Sequence, residues 1–189
     1  MVLRIHLPSI RREEVSMDAT TRKYINNLAQ QVIATYNIEI PITDINKVVK
    51  SIGGSICKKT GFDDLCDGTI KKSGEDSFEI AVSQYQSSNR EIFTVAHELG
   101  HLFLHMGFRT NLALWQQQDN AVYTRFGSSL QESQANEFAG ALLMPEEEYL
   151  SVLRRFAKGN KVDMNEVAQY FRVSTAAATT RGKILGYLA

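Results

Sequence analysis

Apolar residues recur at helical spacing in two segments near the start of the chain. Between residues 24 and 33 they return every three or four positions, and Asp18 stands where an N-cap is expected. A second set has the same spacing: Ile45, Val48, Val49 and Ile52. Gly53 follows this set and can end a helix in the left-handed conformation. The pattern therefore predicts one helix from about residue 18 and another that closes at Gly53.

Short stretches typical of strands follow. Residues 55–58, 69–72 and 78–82 are separated by turn residues: Gly61, Asp67-Gly68 and Ser73-Gly74. Such a run predicts a small antiparallel sheet.

The second half of the chain is predicted to be mainly helical. Residues 89–106 and 130–144 carry broad apolar faces, and Gly107 and Pro145 mark their ends. Residues 107–129, which include Trp115, are predicted to form a long irregular loop. Two short helices are expected between residues 162 and 189, with Ser174 capping the second.

The composition of the 189 residues excludes several classes. Lys+Arg and Asp+Glu both number 21, so the formal net charge of zero favours neither nucleic acid nor membrane as a partner. No apolar run approaches the roughly 20 residues that span a bilayer, and the first residues do not resemble a signal peptide. We therefore expect a cytoplasmic protein with Cys57 and Cys66 reduced and no membrane partner.

A metal-binding pattern lies within the first long helix. His97 and His101 are one helical turn apart, so both imidazoles project from the same face. Glu98 is the neighbour of His97 and is placed to take a proton from water rather than to ligate. The alternative is two buried histidines with internal hydrogen bonds. The helical context favours the metal.

A zinc site needs a third protein ligand and an open position. Glu132 is the candidate, and Asn136 shares its helix face and could hydrogen-bond a ligand. The alternative for Glu132 is an exposed glutamate at a helix start, and Glu137 is a rival ligand that lies off the shared face. His105 would lie about 12 Å along the axis from His97, too far to share one ion, so we predict a supporting role for it.

These residues resemble the ImmA/IrrE family of metallopeptidases. The matching segments are Arg90 to Ala96, His97-Glu98-Leu99-Gly100-His101 with Leu104-His105, and the run from Glu132 to Pro145. The resemblance covers roughly residues 40 to 189. It implies that Glu132 is the third zinc ligand and that the core is gluzincin-like. It also implies that the substrate is a regulatory protein, often a helix-turn-helix repressor encoded nearby.

The expected fold is α+β, with a zincin-like core whose small antiparallel-type sheet packs on the His-Glu-x-x-His helix. Residues 1–40 are predicted to form a lead-in and helix, 41–158 the metallopeptidase core, and 159–189 a helical segment similar to a helix-turn-helix.

The predicted function is that of a zinc-dependent endopeptidase with Glu98 as its base. Two imidazoles and a carboxylate suit zinc well, although sequence does not exclude manganese or iron. Tyr123 and His105 are candidate oxyanion donors, although ordinary packing is the favoured interpretation for each. Residues 78–82 are a candidate edge for a substrate strand.

Two other functions stay open. The basic C-terminal helices could bind DNA, although the segment from Ser174 to Ala178 is poor in side chains that read bases. The favoured interpretation of these helices is a packing module or a dock for the substrate. The chain could also be an interaction protein that retains a metal site with little turnover.

Overall fold

The computed structural model describes residues 17–60, 68–118, 122–123 and 129–188. The helices among them are α1 (Ala19–Thr35), α2 (Ile45–Ile52), α3 (Ser88–Leu104), α4 (Leu112–Gln116), α5 (Ser129–Leu143), α6 (Glu146–Phe156), α7 (Met164–Phe171) and α8 (Thr175–Ile184). The strands are β1 (Gly54–Lys59), β2 (Gly68–Gly74), β3 (Ser77–Ser83), β4 (Val122–Tyr123), β5 (Ala157–Lys158) and β6 (Lys161–Val162). The predicted α+β class is confirmed. The predicted N-terminal lead-in, the turn residues Gly61 and Asp67, and Cys66 lie outside the described residues.

The first helix begins, and the second helix ends, where the sequence predicts. The Asp18 side chain accepts a hydrogen bond of 2.8 Å from the backbone N–H of Thr21 at the start of α1. Asp44 caps α2 in the same way, and Gly53 ends it with a φ of +114°. At that φ a side chain is disfavoured, so glycine is the natural stop signal.

The predicted small sheet is present and has the strand order β1-β3-β2-β4. β2 pairs antiparallel with both β3 and β4, as expected. β1, in contrast, runs parallel to β3, with Gly54 opposite Phe78. β1 and β3 are not consecutive strands, and the chain returns through β2 before it reaches β3.

The predicted docking edge for a substrate is wrong. Residues 78–82 lie in β3, which is hydrogen-bonded to β1 on one side and to β2 on the other. Both sets of its backbone groups are therefore used within the sheet, so β3 cannot accept a further strand.

The core lies between this sheet and the long helices. Ile70, Ile80 and Val82 are fully buried on the sheet, and Leu99 and Leu102 are fully buried on α3. α3 ends at Leu104, two residues before the predicted end, with His105 as its C-cap. Because the buried residues of α3 and of the sheet belong to one core, the predicted contact of the His-Glu-x-x-His helix with the sheet is confirmed.

α3 and α5 approach each other closely at one glycine. A Cβ atom placed on Gly100 would lie 2.9 Å from Cα of Ala135 and 3.0 Å from its carbonyl oxygen. Two small residues therefore let the two backbones come nearly into contact, and this crossing fixes the position of Glu132 relative to the histidines.

The segment predicted as a loop is partly ordered into regular structure. It contains α4, whose N-cap Asn111 accepts a hydrogen bond from Leu114, and the two-residue strand β4. Trp115 is buried, and its indole N–H donates to the carbonyl of Glu75 over 2.6 Å. Five residues are too few to show a helical period, so sequence alone did not distinguish α4 from loop.

The C-terminal helices pack back on the rest of the molecule through buried polar contacts. Arg181 of α8 is 3% exposed and donates to Glu137 of α5 over 3.0 Å and to Asn26 of α1 over 2.8 Å. Tyr149 of α6 donates to the carbonyl of Ala178 over 2.6 Å. Ser174 caps α8, as predicted. The domain divisions after residues 40 and 158 stay predictions.

None of the helices in the described ranges has both the length and the apolar character that crossing a membrane requires.

Candidate metal centre

Three side chains predicted as ligands lie together between α3 and α5. The Nε2 atoms of His97 and His101 are 3.0 Å apart. Glu132 presents one carboxylate oxygen 3.3 Å from Nε2 of His97 and the other 3.4 Å from Nε2 of His101. Both histidines are buried, whereas the Glu132 side chain is 30% exposed. The group is therefore closed towards the core and accessible from one side.

Asn136 sets the tautomer of His97. Its Oδ1 atom lies 2.9 Å from Nδ1 of His97, and a carbonyl oxygen can only accept. Nδ1 therefore carries the proton in the neutral ring. The lone pair of Nε2 points towards the other ligand candidates, as metal binding requires.

A longer relay sets the tautomer of His101. Oε1 of Gln134 lies 3.0 Å from Nε2 of His105, which must then donate, and Nδ1 of His105 lies 2.9 Å from Nδ1 of His101. Burial lowers the pKa of His105, so its ring is neutral near pH 7 and its Nδ1 atom accepts. His101 donates from Nδ1, and its Nε2 lone pair is left for a ligand.

This donor set fits a divalent metal ion. Two imidazole lone pairs and a carboxylate face one another at 3.0 to 3.4 Å, an arrangement that is repulsive unless a cation lies between them. Ligand atoms about 2.0 Å from a tetrahedral zinc are roughly 3.3 Å from each other, which matches these separations. The residues therefore have both the chemistry and the spacing that zinc takes.

Glu98 lies on the same helix but outside the ligand group. It is 2% exposed and packs where β2 begins. A Cβ atom placed on Gly68 would lie 2.6 Å from the Thr94 methyl group and 3.2 Å from Oε1 of Glu98. The strand can pass this carboxylate only because residue 68 has no side chain.

The rival ligand and the supporting residues also have defined positions. Glu137 is 4% exposed and paired with Arg181, so it serves the packing of α8 rather than the metal group. His105 contacts His101, in line with its predicted supporting role. Gln134 was missed, because its partner lies on another helix and no spacing rule marks it. The Tyr123 side chain lies outside the described residues.

Metallopeptidases typically have an α+β core of this kind, in which the His-Glu-x-x-His helix lies next to a glutamate of a second helix. Comparison of the sequence with family models identifies the family. The chain belongs to the Peptidase_M78 family, the IrrE N-terminal-like domain, whose model matches residues 62–182. This match confirms the resemblance to the ImmA/IrrE family and groups the chain with metallopeptidase-like proteins.

The fold is shared with a solved structure of a Mycobacterium tuberculosis transcriptional regulator. The two superpose with a TM-score of 0.55 at 15% sequence identity, over 86% of this chain and 50% of that chain. This chain thus spans half the length of the regulator, and at that identity the likeness concerns the fold alone. No curated protein matches the sequence.

Proposed function

We propose that the chain is a zinc-dependent endopeptidase that cleaves a regulatory protein, with a helix-turn-helix transcriptional repressor as the expected substrate. The observation that carries the proposal is the convergence of two Nε2 lone pairs and the Glu132 carboxylate at the helix that also carries the buried Glu98. Family membership supports the peptidase chemistry. The repressor as substrate is supported by the resemblance to the ImmA/IrrE family.

In this proposal His97, His101 and Glu132 hold the ion, and Asn136 and His105 keep both imidazoles in the ligating tautomer. Zinc bound there supplies Lewis acidity, which acidifies water and polarises a peptide carbonyl. Glu98 receives the proton that the attacking water loses. The same carboxyl group then donates this proton to the amide nitrogen as the peptide bond breaks.

The decisive variant is Glu98→Gln. It keeps the size of the side chain and removes its basicity, so we expect zinc content to be unchanged and cleavage to fall by at least about a hundredfold. The measurement is co-expression with a repressor encoded beside the gene, followed by electrophoresis of the repressor and metal analysis of the purified chain.

Glu91→Gln is the matched control for this experiment. Glu91 lies on the same helix but pairs with Lys58 on the surface, so cleavage should be retained. Repressor that is cut as fast by the Glu98→Gln chain as by the native one would remove Glu98 as the base. A repressor that is bound but never cut by the native zinc-loaded chain would favour the interaction protein with little turnover.

DNA binding by the C-terminal helices is the less favoured function. Arg181 is buried against Glu137, and Arg172 donates to the backbone carbonyl of Thr43 over 2.8 Å. Both guanidinium groups are thus engaged within the molecule. The other basic residues of this segment are exposed, but Arg154, Arg155, Lys158 and Lys161 all precede α7, and Lys183 alone of them lies on α8. The second helix of the pair, which would have to enter a groove of the DNA, therefore contributes one exposed cation to phosphate binding.

A further inference from the structure

A groove of about 460 Å³ lies next to the metal centre, between α1, α3, α5 and α8. Asn136 belongs to both sites, because its side chain lines the groove while its Oδ1 atom contacts His97. Ser133, the neighbour of Glu132, lines the same wall. If a peptide is held at the metal centre, one of its side chains close to the cleaved bond can therefore reach into this groove.

The exposed surface of the groove is mainly apolar and leaves room. Phe93 is half-buried and lies one helical turn before His97 on α3. Opposite it, α8 presents Ala176 and Ala177, and α5 presents Gly140. Small residues on two walls and an aromatic ring on the third make space for a large side chain rather than for water alone.

Two of the three charges in the groove form a buried pair, and the third, on Arg22, lies at its exposed edge, where the Arg22 side chain is 38% exposed and solvent screens its charge. Arg181 and Glu137 are 3% and 4% exposed and are joined by a 3.0 Å ion pair, and Arg22 closes on the second oxygen of Glu137 at 3.2 Å. A charged ligand group would have to compete with these bonds while losing its own hydration. The groove therefore favours an uncharged side chain.

We infer that this groove is a specificity subsite that takes a large apolar side chain, such as leucine or phenylalanine, from a substrate residue beside the cleaved bond. The inference rests on the proposed function, because it assigns the groove to the peptide that the metal centre holds. It narrows the substrate to segments with a leucine-like or aromatic residue at one position next to the scissile bond.

The test uses hydroxamates, which bind zinc directly and so do not require the natural substrate. Acetylated glycine, leucine, phenylalanine and aspartate hydroxamates are titrated by calorimetry into the zinc-loaded full chain. Burial of a leucine side chain should make the leucine compound bind at least about tenfold more tightly than the glycine compound. The aspartate compound should gain nothing over glycine.

Ala177→Phe fills the groove and should abolish the preference for leucine while leaving the affinity for the glycine compound unchanged. Ala176→Phe is the second variant, because residue 176 is exposed and tolerates added bulk without cost to folding. The matched control is Lys183→Phe, which adds the same ring to α8 outside the groove. It should keep the native preference.

Two results would contradict the subsite alone, and a third would contradict the metal centre as well. Equal affinities for the glycine and leucine compounds in the native chain would overturn the subsite. A leucine preference that survives in both filled variants would overturn it as well. If no hydroxamate binds the zinc-loaded native chain, the metal centre and the proposed function fail, and the subsite falls with them.

Discussion

At the scale of single residues, Arg181 and Glu137 show how strongly one buried charge depends on its partner. Both are almost inaccessible to water, and Arg181 also donates to the carbonyl of Met144 over 3.0 Å. Removal of Glu137 leaves Arg181 buried without a counterion, and removal of Arg181 leaves Glu137 buried with only the partly exposed Arg22 as its counterion. Loss of one partner therefore changes the free energy of unfolding by more than formation of the pair contributes to it.

Arg181→Met should lower the free energy of unfolding by about 3 to 5 kcal/mol, because Glu137 would then be buried with a weaker set of partners. Urea denaturation followed by circular dichroism measures the change. Arg155→Met is the matched control, since Arg155 is exposed and lies over the ring of Phe156. The control should shift stability by no more than about 0.5 kcal/mol. Equal midpoints for the two variants would contradict this account of the pair.

Tyr149 should make stability sensitive to alkaline pH. It is fully buried, and burial raises the pKa of Tyr149 to about 12 from its ordinary value of 10.0. The neutral phenol is the form that the fold favours, so its contribution is complete below pH 10. That contribution is lost as pH rises through 12, because the unfolded chain gives up the proton first.

The free energy of unfolding should therefore fall by roughly 2 to 3 kcal/mol between pH 9 and pH 12 through this residue. Tyr149→Phe should remove that part of the pH dependence, and it should also cost about 1 kcal/mol at pH 7 through the lost hydrogen bond to Ala178. Tyr24→Phe, at a side chain that is 59% exposed, is the control. An unchanged alkaline slope in Tyr149→Phe would show that another group is responsible.

At the scale of elements, the crossing of α3 and α5 links packing to the metal centre. Gly100→Ala would place a methyl group 2.9 Å from Cα of Ala135, so the helices would have to separate. Because Glu132 lies on α5 and the histidines lie on α3, separation should weaken zinc binding by at least about tenfold as well as lower stability. Competition with a chelator of known affinity measures the first effect, and urea denaturation the second.

Gly140→Ala is the control for that variant within the same helix pair. The added Cβ would meet its nearest atom, Cδ of Arg181, at 3.7 Å, which is ordinary contact. In a helix interior the change should stabilise by up to about 1 kcal/mol and leave zinc affinity unaltered. Loss of zinc affinity in Gly140→Ala but not in Gly100→Ala would refute the role given to the crossing.

Elements with a repeated local signal could be predicted from the sequence, and those set by long-range pairing could not. α1, α2, α3, α5 and α8 have apolar periods or caps, and each was located within a few residues. The parallel pairing of β1 with β3 depends on which strands meet across the sheet, which no local pattern encodes. β3 was therefore mistaken for an exposed edge.

The residues of the candidate site also fall into those that a local pattern predicts and those that depend on long-range contacts. His97, Glu98 and His101 follow from spacing on one helix, and Asn136 follows from its position four residues after Glu132. Gln134 reaches His105 from the other helix, and the direction of its amide decides the tautomer of His101. That role depends on the crossing of two helices, so only the three-dimensional arrangement reveals it.

At the scale of the whole molecule, zinc should stabilise the fold, because its ligand candidates come from two helices that must be in place together. An ion present at one hundred times its dissociation constant adds about 2.7 kcal/mol. For a chain of this length, removal of zinc with a chelator should lower Tm by roughly 5 to 10 °C. Differential scanning calorimetry measures the change.

Glu132→Gln provides the comparison for the metal experiment. It removes the negative charge of the third ligand candidate while keeping its shape, so the chelator should change Tm far less. A chelator effect as large in this variant as in the native chain would mean that the ion binds elsewhere.

The close passage of β2 over Glu98 has a consequence for how this chain can change over generations. A Gly68→Ala exchange needs one nucleotide substitution, and the new methyl group would lie 2.6 Å from the Thr94 methyl group and 3.2 Å from Oε1 of Glu98, so that these side chains would have to shift. The three ligand candidates would be untouched. Under the proposed mechanism, a descendant that keeps its three ligand candidates but has a displaced base is therefore a single mutational step away.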